Sequence, residues 1–511
     1  MTIDSKLSRR DFLKLMALTP SVLAARPLAS LLDPKTDSAT PHILFFVFDA
    51  WSAANVQFHG YPRRTMPNLE RFAERCYVYH NHYTAGNFTV PGTASMLTGL
   101  YPWTHRAVQL TAGGVASAHQ THNLFAALEA THSTLGFSQN PYADIFLYQF
   151  EKYLDTYLSE AIFNLERRQF SSLPFFNNDA QFAFASFENN ILRNGKGTSG
   201  SLFLSMISRL NKLLRYSRFR QLYRDVYPKS LPTAGGVFLL DQLVDGMMDT
   251  IRKFDSPTLA YFHVFPPHEP YAPNRKALSL FDDGWTPLEK PDHPLSQHRS
   301  ADEMLASRLR YDQYLATWDA EFAHLLDELE TSGLLEKSIV VITSDHGELF
   351  ERGETEHNTF LLSSPVVHVP LLISLPGHAQ RKDIHAFTSN VDLLPTLANL
   401  VGAPAPSWTE GHLLPALGGE EDLDRSIYSI DAKTASSFST FEKYSISLIK
   451  QRHRLIFYQY PEHSGFEFYN MDDDPEELRD LFPSAPSLAG QMQQELLDKV
   501  DEFNAPYKKT H

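Results

Sequence analysis

Residues 42–50, HILFFVFDA, are a continuous apolar run that ends in an acid. Such a run reads as a strand buried on both faces at the centre of a parallel sheet, where function gathers at the carboxyl end. The pattern recurs. SIVVITSDHGE (338–348) is an apolar strand followed by Ser-Asp-His-Gly, and TLAYFHVFPPHEPY (258–271) runs into a Pro-rich loop carrying His263 and His268. VPLLISLP (369–376) reads as a fourth strand. Between them lie segments such as DQYLATWDAEFAHLLDELETSG, with apolar residues at helical spacing and a Gly stop. Strands alternating with helices predict an α/β sandwich.

The 511 residues are 43% hydrophobic and 21% charged, ordinary values for a globular enzyme with a large core. A formal charge of −15 argues against a nucleic-acid partner. The single cysteine, Cys76, excludes an internal disulfide framework and any cysteine-based metal cage. It falls at a helix-to-strand junction, where burial is expected.

The first 29 residues read as a leader. Ser8-Arg9-Arg10 precedes Phe12-Leu13-Lys14 and a short apolar run from Leu13 to Ala25, with small-residue cleavage sites at Ala24 or Ala29. The run is shorter than the ~20 residues a spanning helix needs. It resembles a twin-arginine export signal, which implies the Tat translocase as a partner during export and a periplasmic or secreted mature protein. Residues 30–41 form a polar linker, 42–404 the main domain and 405–511 a smaller α+β subdomain with short strands and a final helix. A helical insertion spans about 145–235 and contains the basic stretch RLNKLLRYSRFRQLYRDVY. Either its Arg and Lys simply face solvent, or it guides an anionic, membrane-surface or lipid-attached substrate.

Chemistry is concentrated in three places far apart in sequence. They are Asp49 at the end of the first strand, Thr89 in GNFTVPGTASMLTG (86–99), and the pair Asp345–His346. Two carboxylates, a hydroxyl and an imidazole suit one divalent ion such as Mn, Zn, Ca or Mg. An ion beside a threonine oxygen lowers its pKa and makes it a nucleophile near neutral pH. A helix N-terminus at Thr89 adds N–H groups for an anionic ester.

Seven segments in order resemble the sulfatase branch of the alkaline phosphatase superfamily. These are FDAW, TMPNLERFA, TVPGTASMLTGLYP, HVFPPHEPY, TSDHGELF, VDLLPTLANLVGAP and GFEFYNMDDDPEELRDLF. The resemblance implies an alkaline phosphatase-like α/β/α sandwich with a large mixed central sheet, plus the small C-terminal subdomain. It implies Asp49, Asp345 and His346 as metal ligands, with Thr89 as nucleophile and fourth ligand. His268 then contacts the leaving group or the transferring oxyanion, His357 brings another basic side chain to that anion, and His105 falls in a region that often adds one more basic group. His263, within a strand, reads instead as a packed or hydrogen-bonded core histidine.

The departures are informative. The family's Cys-x-Pro-x-Arg is Thr89-x-Pro91-x-Thr93 here, so no formylglycine is expected, and its second acid is Ala50. A threonine in that place resembles phosphoryl-transferring relatives. Phosphate mono- or diesters, hydrolysed or transferred, are therefore the first expectation. Sulfate-ester hydrolysis is the second, and a binding protein on an inactive fold the third.

Overall fold

The computed structural model describes residues 40–110, 114–165, 201–484 and 487–508. The leader, the linker up to residue 39 and residues 166–200 of the insertion lie outside the described residues. Eight strands among those described form the central sheet: β1 (His42–Phe48), β2 (Tyr77–Tyr83), β3 (Ser133–Ser138), β4 (Thr156–Leu158), β5 (Thr258–Val264), β6 (Ser338–Thr343), β7 (Leu371–Ser374) and β8 (Lys382–Ser389). Their order is β4-β3-β5-β1-β6-β7-β2-β8. The run from β4 to β6 is parallel, and β7 is antiparallel to both its neighbours. All four strands expected from sequence are present, and β1 lies near the middle.

Strand alternation sends successive side chains to opposite layers. Leu44, Phe46 and Phe48 of β1, Ala260, Phe262 and Val264 of β5, and Val340 and Ile342 of β6 line one core. Helices cover that face. They are α1 (Pro67–Ala73), α4 (Leu240–Ile251) and the 31-residue α5 (Ala301–Thr331). A capping box at Ser300 and Glu303 starts α5, each satisfying the other's backbone N–H. Ile43, Phe45 and Val47, Leu259 and Tyr261, and Ile339 and Val341 line the opposite core, covered by α2 (Thr89–Thr98) and α6 (Leu393–Leu400). Between α2 and α4 in the chain, helix α3 (Leu202–Leu222) holds most of the basic stretch, whose last five residues run past its end. Cys76 is buried at the α1–β2 junction, as expected.

The α5 layer is held by aromatic packing. Phe322 meets the rings of Phe46, Phe48 and Trp318 at 5.3, 4.8 and 5.3 Å. Truncating it leaves a cavity that three rigid neighbours cannot fill. Phe322→Ala is expected to lower stability by ~3–5 kcal/mol. Denaturant unfolding checks this, with the midpoint falling and the slope unchanged; a loss under 1 kcal/mol, far below that range, would show that the layer repacks.

Beyond β8, strands β9 (Ile427–Asp431), β10 (Tyr444–Lys450), β11 (His453–Gln459) and β12 (Ser464–Asn470) form an antiparallel sheet in the order β12-β11-β10-β9. Helix α7 (Ser487–Asn504) packs on it through Ala489, Met492, Leu496, Val500 and Phe503. This subdomain touches the segment leading into α2. Ile430 N donates to Ala85 O at 2.9 Å and Ser429 Oγ to Thr84 O at 2.6 Å. Trp103, just past α2, stacks on Phe503 with ring centroids 5.4 Å apart. Among the described residues no helix is long and apolar enough to cross a membrane.

Candidate active site

The carboxyl ends of four adjacent parallel strands converge on one buried spot. β1 delivers Asp49, β6 delivers Asp345 and His346, β5 contributes His263, and β3 runs into Asn140. The turn after β1 is held tightly. Ala50 takes a left-handed φ of +61°, a costly setting for a residue with a Cβ. Tyr311 Oη of α5 donates to Ala50 O at 2.7 Å, and Trp51 N donates to Ser344 Oγ at 2.9 Å. The strained turn is thus fixed by both neighbouring elements.

Helix α2 brings Thr89 to the same place. Its N-cap residue is Phe88, which makes no side-chain cap bond, so Thr89 is the first helical residue and not a cap. The helix can approach because position 92 is glycine; a Cβ there would sit 2.1 Å from Asp345 O. Four residues after Thr89, Thr93 Oγ1 lies 3.5 Å from Asp345 Oδ2. One turn of helix therefore presents both hydroxyls to the cluster.

Thr89 Oγ1 lies 3.3 Å from His346 Nε2. His346 Nε2 is 3.4 Å from Asp49 Oδ1 and 3.7 Å from Asp345 Oδ2. His346 Nδ1 donates to Gly347 O at 2.9 Å, which turns Nε2 toward the carboxylates. Asp345 Oδ1 accepts from His346 N at 3.0 Å. The expected set Asp49, Thr89, Asp345 and His346 is brought together.

Two members escaped the sequence reading. His263 is buried and hydrogen-bonded as expected, but it belongs to the cluster rather than the core. Its Nε2 is 3.1 Å from Asp49 Oδ2 and 3.6 Å from Asp345 Oδ2, and the three residues form a buried group able to hold an ion. Asn140 has a double role. Its Oδ1 caps the helix that follows by accepting from Tyr142 N, while Nδ2 donates to Asp49 Oδ2 at 2.5 Å and to Thr89 Oγ1 at 3.2 Å. An Asn-Pro pair signals a cap, and nothing in the sequence told of its second duty.

The electrostatics fit a cation. Burial works against ionising Asp49, yet His268 and the hydrogen bonds of His263 and His346 hold it well below the usual carboxylate range. Burial and then the charge of Asp49 push Asp345 upward. Two dry carboxylates at this distance oppose one another, and a divalent ion removes the opposition. Asp49 Oδ1 is buried with no hydrogen-bond partner, so an acceptor stands ready in the middle of the cluster. The donor set fits one divalent metal.

Two further imidazoles flank the group. His357 and His346 have ring centroids 4.3 Å apart, and His268 and His357 4.7 Å. His268 Nδ1 donates to Glu269 O at 2.6 Å, and His357 Nδ1 lies 3.0 Å from Glu348 Oε1. Glu348 is fully buried, and its role was not read from sequence. Burial, then His346 and His268, lower the His357 pKa well below its usual value. The expected placement of His105 is corrected. It lies behind α2, where Nε2 meets Ser95 Oγ at 3.0 Å and Nδ1 accepts from Ala107 N at 3.0 Å. Both ring nitrogens are spent on closing that turn.

The Sulfatase family model matches residues 41–403, and the chain belongs to that family. A second model, "N-sulphoglucosamine sulphohydrolase, C-terminal", matches residues 356–505. Among curated proteins, the choline-sulfatase of Rhizobium meliloti is 24% identical over 81% of this chain and 77% of its own length. The ulvan-active sulfatase of Formosa agariphila is 22% identical over 79% and 73%. Among solved structures, the phosphonate monoester hydrolase of Agrobacterium radiobacter superposes with a TM-score of 0.63 at 17% identity, over 91% of this chain and 96% of that one. A 2-O GAG sulfatase superposes with a TM-score of 0.62 at 15% identity, over 92% and 94%. The fold is thus the α/β sandwich expected, and the protein is a sulfatase-family ester hydrolase of the alkaline phosphatase-like superfamily.

Proposed function

We propose that the chain hydrolyses an anionic ester at the Asp49–Thr89–Asp345–His346 cluster, with sulfate esters as the leading substrate class. One observation carries the catalytic reading. Thr89 Oγ1 stands at a helix N-terminus, 3.3 Å from His346 Nε2 and beside two buried carboxylates. Asp49, Asp345 and His346, with Thr89, would hold one divalent ion. Such an ion supplies a Lewis acid that acidifies a neighbouring hydroxyl and polarises the ester. Thr89 Oγ1 then gives up its proton to solvent and attacks sulfur or phosphorus in line with the bond to the leaving oxygen. That bond breaks, and His268 gives a proton to the departing alcohol, while His357 faces the transferring anion. Water cleaves the ester left on threonine and restores the hydroxyl. The N-terminal amides of α2 and the flanking imidazoles face the charge that builds on the non-bridging oxygens.

The relatives' names weigh toward sulfate, which reverses the order drawn from Thr89 alone. The second reading, phosphate mono- or diesters, rests on that residue. A sulfated threonine lacks the second hydroxyl through which a formylglycine hydrate expels sulfate, whereas a phosphorylated threonine can be cleaved by water or an acceptor alcohol. A side-by-side comparison of p-nitrophenyl sulfate, phosphate, phosphate diester and phosphonate with metal-loaded protein decides the matter. Faster sulfate turnover supports the leading reading, and faster phosphate turnover installs the second. No turnover of any ester would leave a binding protein.

We also propose export through the twin-arginine route, on the strength of the Ser8-Arg9-Arg10-x-Phe12-Leu13-Lys14 match. Arg9→Lys with Arg10→Lys is expected to hold the protein in the cytoplasm. Cell fractionation checks it, and unchanged export would end the assignment.

A further inference from the structure

The cluster carries two imidazoles, and their hydrogen bonding shows what each nitrogen can do. His346 spends Nδ1 on Gly347 O and aims Nε2 at the carboxylates. His263 repeats the arrangement from the other side. Its Nδ1 lies 3.1 Å from Tyr261 Oη, a partner able to accept the ring proton, while Nε2 faces Asp49 and Asp345. A ring whose far nitrogen is held by a neighbour is oriented for ligation through the near one. Asn140, by contrast, is committed by its cap: Oδ1 faces Tyr142 N, and only the donating Nδ2 reaches Asp49. It orients a ligand but cannot be one in this rotamer.

Position 50 is alanine, so no second acid follows Asp49. His263 Nε2 occupies the flank of Asp49 Oδ2 instead. The donor pairs around the cluster are 3.1, 3.4, 3.6 and 3.7 Å apart. That is the spacing of adjacent ligands around one ion bonded at about 2.0–2.4 Å. The charge and type of the set also discriminate. Calcium takes six to eight oxygens, and magnesium prefers carboxylate and water; imidazole suits borderline transition ions. We propose that His263 is a metal ligand, and that the resulting set of two imidazoles and two carboxylates beside the Thr89 hydroxyl selects zinc over calcium and magnesium. The inference rests on the reading of this cluster as a metal centre and deepens it.

The test is metal binding, not turnover. Protein stripped with a chelator is titrated with Zn(II), Ca(II) and Mg(II) in competition with a chromophoric chelator, for wild type, His263→Ala and His263→Gln. Wild type is expected to prefer zinc by at least about a hundredfold. Both variants should bind zinc roughly 10- to 100-fold more weakly, with calcium affinity changed far less. X-ray absorption of zinc-loaded wild type needs no variant and should show two imidazoles on the ion. Zinc bound by one imidazole, or with full affinity in folded His263 variants, overturns the inference and leaves the metal centre standing. A wild type that binds no divalent ion overturns both.

Discussion

Thr89→Ala removes ester turnover, with kcat/KM falling by roughly 10³-fold or more, while the protein stays folded. The size follows from what is lost: the attacking atom itself, leaving only the activity that charge stabilisation and binding supply to water. The fold survives because Thr89 is not the cap of α2; Phe88 holds that position without a side-chain bond. The hydroxyl's neighbours, His346 and Asn140, keep other partners in the variant. Thr89→Ser retains the oxygen and should recover much of the rate. Mass spectrometry of rapidly quenched wild type should find a sulfated or phosphorylated peptide containing Thr89. Undiminished turnover in Thr89→Ala, with metal bound, would take Thr89 out of the reaction.

The second large effect is loss of the ion. Asp345→Ala and Asp49→Ala should each weaken divalent binding by roughly 10²-fold or more, because a single carboxylate is left to balance a doubly charged ion. Elemental analysis of purified protein measures it, with about one equivalent expected in wild type for a single-ion site. The two variants differ in what they leave behind. Asp49→Ala strips hydrogen-bond acceptors from Asn140 and His263, so a cost of ~1–3 kcal/mol of stability is expected. Asp345 is the carboxylate that burial and Asp49 push upward, so its removal also removes a repulsion. Added metal should raise the melting temperature of wild type and leave Asp345→Ala unmoved. Metal retained at full stoichiometry in both variants would place the site elsewhere.

Much of the fold and half of the site were legible because central parallel strands are nearly uniform in composition and end in chemistry. Asp49 and Asp345 announced themselves as acids closing apolar runs. His263 was legible too, through a rule that composition hides. On β1, Ile43, Phe45 and Val47 face the α2 layer, and Asp49 continues that parity; Leu259, Tyr261 and His263 do so on β5, and Ile339, Val341 and Asp345 on β6. Counting by twos from the strand centre puts all three side chains on one face. Reading His263 as a residue inside a strand, without asking which face it took, made it a core residue. Asn140, Glu348 and His105 are different. Their roles depend on which loop lies opposite, a contact made by tertiary packing. Nothing local distinguishes a histidine that faces a carboxylate from one that faces Ser95.

The cluster is assembled from ends of the chain that do not meet until the central sheet is complete; Ala50 and Asp345, joined by a hydrogen bond, are 295 residues apart. An ion seated there is a cross-link, one that closes a loop longer than half the protein without a covalent bond. No partly folded chain offers it more than isolated ligands, so its affinity counts almost wholly toward the native state. At a free concentration a hundred times the dissociation constant this amounts to about 2.7 kcal/mol, a sizeable fraction of the stability of a typical domain. Proteolysis of the open chain should therefore slow as metal is supplied, even in a variant that has lost every trace of turnover through Thr89.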